Sequence, residues 1–164
     1  MLFRKLLTKN LIICPNMKCN CKPFNNNYEF RHEQRKTVVC TDKGSKVKYI
    51  YKNKSLSFLS KYKVDGGLIT NGSKCDYLLL NCNKRRAFFI ELKGCNLIKA
   101  VEQIDRSVDL LKSYISEYSI FARIVLTRVN TTDLKNTKLV KLKKKVESLK
   151  GNLVKETKLY EEVI

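Results

Sequence analysis

The hydrophobic period of this chain changes at Lys93, and that change limits its architecture more than any other feature. Ahead of it, residues 75–82 and 87–93 are short apolar runs, with turn residues Asn71-Gly72-Ser73 and the segment 83–86 beside them. This is the pattern of buried strands. Beyond it, Leu97, Ala100, Val101, Ile104, Val108, Leu111 and Ile115 recur in steps of three and four. That spacing predicts an amphipathic helix of about five turns. Residues 120–128 then return to strand, with Phe121, Ile124, Val125 and Leu126. A chain that runs from strands into a long one-sided helix and back must bury the helix against a sheet.

The rest is assigned by the same rules. Residues 37–40 and 46–51 read as two strands around a turn at Asp42-Lys43-Gly44, and residues 64–70 as another strand. Residues 1–13, 28–35 and 56–62 are expected to be short helices, with 15–27 a loop. Residues 138–149 form a lysine-rich helix carrying Leu139, Leu142, Val146 and Leu149, and Gly151 sits where a helix ends in a left-handed residue. Residues 153–157 make a last strand. The expected fold class is α/β, a mixed central sheet flanked by helices. It is one domain: a basic N-terminal region, 1–63, packed on a core of 64–164.

The chain has 164 residues and a formal charge of +19. Residues 1–63 hold 15 basic groups against 3 acidic ones, so the acids concentrate in a basic protein's middle. Such an envelope attracts polyanions, a phosphate backbone above all; the competing explanation is a lysine-rich composition dressing a solvated surface. No apolar run approaches the ~20 residues of a membrane span, and no secretory signal is evident. An intracellular protein with no membrane partner is therefore expected. The seven cysteines are odd in number and irregularly spaced, which predicts free thiols. Cys14, Cys19, Cys21, His32 and Cys40 are zinc-ligand types without the paired gaps of a zinc knuckle, so zinc is not the expectation. His32, the only histidine, is expected to be solvated.

The chemistry concentrates between Asp76 and Lys93. Apolar 87–90 runs straight into Glu91-Leu92-Lys93. Alternation puts Glu91 and Lys93 on one face and Leu92 on the other. Opposite charges ending an apolar strand are costly to bury without partners. Asp76 opens the preceding strand, and a hairpin would return it beside Glu91. Two adjacent carboxylates repel unless a cation lies between them. Mg²⁺, with Mn²⁺ as the alternative, suits an all-oxygen site that shares its ligands with phosphate. Asp76 and Glu91 are the expected metal ligands, with the Leu92 carbonyl a further one. Lys93 would orient or deprotonate water, or neutralise charge on phosphorus. Asp65, in Asp65-Gly66-Gly67, is a nearby acidic competitor.

These residues resemble the signature of the PD-(D/E)XK nuclease superfamily, an acid on one core strand followed by Glu/Asp-x-Lys on the next. Asp76 matches the first and Glu91-Leu92-Lys93 the second, with Cys75 in place of the proline. The resemblance spans roughly residues 64–128. It implies a restriction-endonuclease-like core of order αβββαβ, Gln103 as a polar catalytic residue on the following helix, and an acid on the first helix, for which Glu33 and then Glu29 are candidates. It implies a Mg²⁺-dependent endonuclease, DNA being the expected substrate, with Lys74, Lys99 and Arg123 as candidate nucleic-acid contacts. A homodimer or a partner subunit fits cleavage of two strands. The alternatives are a non-catalytic nucleic-acid-binding module of the same fold, or a basic interaction protein.

Overall fold

A computed structural model describes residues 21–164. The expected helix at 1–13, together with Cys14 and Cys19, lies outside the described residues. The remainder is mixed α/β and rich in sheet. In chain order the elements are β1 (Tyr28–Gln34), β2 (Thr37–Cys40), β3 (Lys48–Lys52), β4 (Phe58–Lys63), β5 (Tyr77–Asn81), β6 (Arg86–Lys93), α1 (Leu97–Leu111), β7 (Ser119–Leu126), α2 (Thr137–Ser148), β8 (Leu153–Thr157) and β9 (Leu159–Val163). No helix among the described residues is long and apolar enough to cross a membrane.

Six strands make the main sheet in the order β1-β4-β5-β6-β7-β8, and β2-β3-β9 make a second sheet. β4, β5 and β6 are an antiparallel meander. Helical crossovers then set β7 parallel to β6 and β8 parallel to β7, as parallel neighbours require. β6 is buried on both faces along nearly its whole length. On one face Leu78, Leu80, Ala87 and Phe89 pack against Leu97, Val101, Ile104 and Val108 of α1 and Leu142 and Val146 of α2. On the other, Leu79, Phe88, Ile90 and Leu92 pack against Val38, Tyr49 and Tyr51 of the second sheet. The result is three layers: helices, main sheet, small sheet.

Several expectations are corrected. Residues 28–35 form β1 rather than a helix. Phe30 is the strand's one fully buried side chain, so the sequence offers too little period to separate strand from helix. Residues 56–62 form most of β4. Four consecutive residues there are buried, Ser60 and Lys61 among them, which hides any alternation. Residues 64–70 are a turn closed by a bridge between Asp65 and Ile69, so the three core strands are β4, β5 and β6. A division at residue 63 thus falls inside one sheet: β1 and β4 precede it, β5 follows it. β9, unmarked in the sequence, pairs in parallel with β3. After α2 it is Lys150 that takes the left-handed φ of 62°. Gly151 is needed for a different reason: a Cβ there would lie 1.7 Å from the Ile120 carbonyl oxygen.

Candidate active site

The β5–β6 register pairs Tyr77 with Ile90. One step further it sets Asp76 opposite Glu91. Both side chains then lie on the helix-covered face, the face of Leu78 and Phe89, since alternation gives them that parity. Cross-strand neighbours of this kind have Cβ atoms ~4.5–5.5 Å apart. The pairing is reinforced locally: the Leu92 backbone N–H donates to Asp76 Oδ2 at 2.7 Å, and the Asp76 N–H donates to the Ile90 carbonyl at 3.1 Å.

Glu91 is fully buried, at 0 % exposure. Lys93 Nζ lies 3.3 Å from its Oε1. Even so, neither Glu91 oxygen accepts a well-formed hydrogen bond among the described residues. Burial pushes the Glu91 carboxyl up to about 8, Asp76 adds to the rise, and Lys93 opposes it. Burial likewise lifts Asp76 to about 6. The Leu92 N–H works against that rise, and the charges of Asp42 and Asp65 add to it. A buried carboxylate with unfilled oxygens, facing a second acid, is an electrostatic debt left open inside the fold.

The surroundings extend this picture. Gln103, from the second turn of α1, is 8 % exposed. Its Nε2 donates to the Lys74 carbonyl at 2.7 Å, while its buried Oε1 has no hydrogen-bond partner among the described residues. Lys93, Lys74, Lys99, Gln103 and Asp65 line one cleft of about 490 Å³. Asp76, Asp42, Lys63 and Asp65 line a second, of about 380 Å³. Asp65 stands on the rim of both, where Lys74 Nζ reaches its Oδ1 at 3.3 Å. Lys99 is exposed on the first turn of α1. Its backbone N–H is capped by Asn96 Oδ1 at 2.9 Å, and its exposed side chain stands at the mouth of the cleft.

Asp76, Glu91, Leu92, Lys93, Gln103, Lys74 and Lys99 are therefore brought together at one end of the β5–β6 hairpin. Arg123 is not. It is 2 % exposed, on the partner residue of Ile90 in β7. Its guanidinium holds Glu162 of β9 through two bonds, Nε to Oε2 at 2.8 Å and Nη2 to Oε1 at 2.6 Å. Nη1 donates to the Ala122 and Asn152 carbonyls and to Asn152 Oδ1. This arginine ties the small sheet to the main one and, at 2 % exposure, is out of reach of a phosphate backbone. Glu33 and Glu29 are also not helical acids of the site: they lie on β1 and pair with Arg35 and Lys61, each at 2.7 Å. Asp42 also belongs to these surroundings, although the sequence marks it only as a turn residue. It holds the Tyr77 hydroxyl at 3.3 Å and lies near enough to raise both Asp76 and Glu91. Only the packing of the β2–β3 turn on β5 brings it there.

Cys21 and Cys82 are joined as a disulfide, against the expectation of free thiols. Cys40 and Cys75 are free and buried, and Cys95 is free and half-buried. A pairing across 61 residues depends on strand order and leaves no mark in cysteine spacing. Comparison with family models, with curated proteins and with solved structures finds no match.

Proposed function

We propose that this protein is a divalent-metal-dependent nuclease with a restriction-endonuclease-like core, cleaving phosphodiester bonds of DNA. The observation that carries the reading is Glu91, a fully buried carboxylate whose oxygens accept no well-formed hydrogen bond among the described residues. It faces Asp76 on the neighbouring strand and has Lys93 3.3 Å away. A hydrophobic isostere would cost far less in a purely structural position. The strand order β4-β5-β6, then α1, then β7 parallel to β6 also supports it.

The donor set fits a hard cation. Asp76 and Glu91 offer carboxylate oxygens and Leu92 a backbone carbonyl, which are ligands suited to Mg²⁺ or Mn²⁺. Such an ion, when bound, supplies positive charge that stabilises the pentavalent transition state and lowers the cost of generating the nucleophile. The chain's own residues do the rest. Lys93 shares its face with Glu91 and borders the cleft, so its ammonium can orient water and neutralise charge developing on phosphorus. The unpartnered Gln103 Oε1 accepts a hydrogen bond from the attacking water or a substrate hydroxyl. Lys74 and Lys99 flank the cleft and hold the backbone, positioning the strand without reading its bases. Cleavage of both strands of a duplex would require a second copy or a partner subunit.

A cleavage panel tests the proposal. Single-stranded, duplex and branched DNA and RNA are incubated with Mg²⁺, Mn²⁺ or EDTA. Cleavage of DNA that appears with metal and vanishes with EDTA is expected. Activity indifferent to EDTA, or none on any substrate, would overturn it.

A further inference from the structure

His32 lies at a defect in β1. The β1–β4 register shifts between Phe30 and Glu33, and His32 takes a φ of 53°, a region that side-chain-bearing residues seldom occupy. Bulges of this kind re-aim a side chain. Here the imidazole is turned to stack on Phe58, ring centroids 4.1 Å apart. Its buried Nδ1 has no hydrogen-bond partner among the described residues. Cys21 and Cys82 meet beside it with Cα atoms 5.3 Å apart, and Phe58 packs against them. The two sulfurs and a ring nitrogen of His32 all lie within 4.8 Å of one another.

One buried hydroxyl holds the three segments in register. Ser60 Oγ, on β4, accepts the His32 backbone N–H at 3.0 Å and donates to the Cys21 carbonyl at 2.8 Å. It also sits 3.6 Å from the Cys21 sulfur. The disulfide occupies both sulfurs, and His32 Nδ1 has no hydrogen-bond partner among the described residues. In a tetrahedral zinc site, with bonds of about 2.3 Å to sulfur and 2.0 Å to nitrogen, donor atoms stand about 3.5–3.8 Å apart. Once the sulfur–sulfur bond is broken, side-chain rotations would bring the three ligand atoms, already within 4.8 Å of one another, to that spacing.

We propose that Cys21, Cys82 and His32 form a redox-gated Zn²⁺ site. In the oxidised form the sulfurs are bonded to each other and the site is closed. A dithiol reductant of the thioredoxin class opens it by exchange: the Cys21–Cys82 bond breaks, the reductant's own disulfide forms, and two electrons and two protons pass to the cysteine sulfurs. Zn²⁺ then displaces those two protons and binds two thiolates and the imidazole, with its remaining position left to water or another ligand. Cys82 follows the end of β5 and Asp76 precedes its start, so the site lies about 20 Å from the paired carboxylates at 3.3 Å per strand residue. It stands independently of the nuclease reading. Its effect would be to clamp the segment at Cys21 onto the β5–β6 hairpin.

The test uses the full chain, reduced with a phosphine or oxidised, dialysed against Zn²⁺ and assayed for bound metal. Co²⁺ serves as a spectroscopic substitute. The reduced protein is expected to retain one more Zn²⁺ than the oxidised protein and to show thiolate-to-cobalt charge-transfer absorption that the oxidised protein lacks. Cys82→Ser and His32→Asn should weaken Zn²⁺ binding by about tenfold or more. Asparagine tolerates the left-handed backbone at His32, and a melt of the oxidised variant reports its folding. Reduced wild type that retains no more Zn²⁺ than the oxidised protein, or folded variants that bind it as wild type does, would overturn the proposal.

Discussion

Replacing Glu91 with Gln should stabilise the metal-free protein, and its pH dependence makes the reason visible. The Glu91 carboxyl moves from 4.5 to about 8 on folding. The folded state therefore holds a proton that the unfolded chain has released across that interval. With more protons bound in the native state, stability is full below about pH 4.5 and falls as pH rises towards 8. At 1.36 kcal/mol per unit, the ionised group costs the fold on the order of 5 kcal/mol above pH 8. Glutamine keeps the shape and removes the charge. Its amide inherits a site with no hydrogen-bond partner, which returns about 1–3 kcal/mol of that gain. Lys93, a quarter exposed, can turn to water. The net is a stabilisation of about 2–4 kcal/mol, or roughly 4–16 °C in Tm for a chain of this size. Thermal melts in EDTA at about pH 8.5 and about pH 5 measure it; the stabilisation should be lost or reversed at the lower pH, where wild-type Glu91 is already protonated and only the cost of the amide remains. A lower Tm for Glu91→Gln at the higher pH would refute the reasoning, because it would make the Glu91–Lys93 pair a structural salt bridge.

Other outcomes follow from the same geometry. Lys93→Ala should abolish cleavage and leave the melt and nucleic-acid affinity nearly unchanged, since the role proposed for Lys93 is in the chemical step; binding titrations beside a cleavage assay check this. Lys99→Ala, on the exposed first turn of α1, should weaken DNA binding across all sequences and lower the salt slope by about 1, measured by fluorescence anisotropy against salt concentration. Arg123→Ala should cost about 3–5 kcal/mol by leaving Glu162 unpaired at the sheet interface, visible in denaturant melts, with no change in the salt slope of DNA binding.

What the sequence could show depended on how far each signal reaches along the chain. Period alone marked β6, α1, β7 and α2, because each carries a continuous apolar face. The opposition of Asp76 and Glu91 was legible because a single hairpin connects them and alternation decides their face. β1 and β4 were hidden. β1 buries fully only Phe30, and β4 buries Ser60 and Lys61 by giving them partners, Lys61 Nζ donating to the Val39 carbonyl at 2.9 Å and Ser60 bonding Cys21. Polar residues satisfied in this way mask a strand's pattern. Asp42, the Arg123–Glu162 clamp and the Cys21–Cys82–His32 cluster all join segments far apart in sequence. Only the stacking of the two sheets and the order of their strands bring those groups together. Arg123 in particular reads as a surface cation until β9 is seen to pass beside it.

The account rests on Asp76 and Glu91 holding one divalent cation between them. Anomalous diffraction from crystals soaked in Mn²⁺ tests that directly. The expected result is a single strong peak within bonding distance of both carboxylates, absent from Glu91→Gln crystals treated alike. No peak there, with Glu91 paired to Lys93 alone in the presence of Mn²⁺, would contradict it.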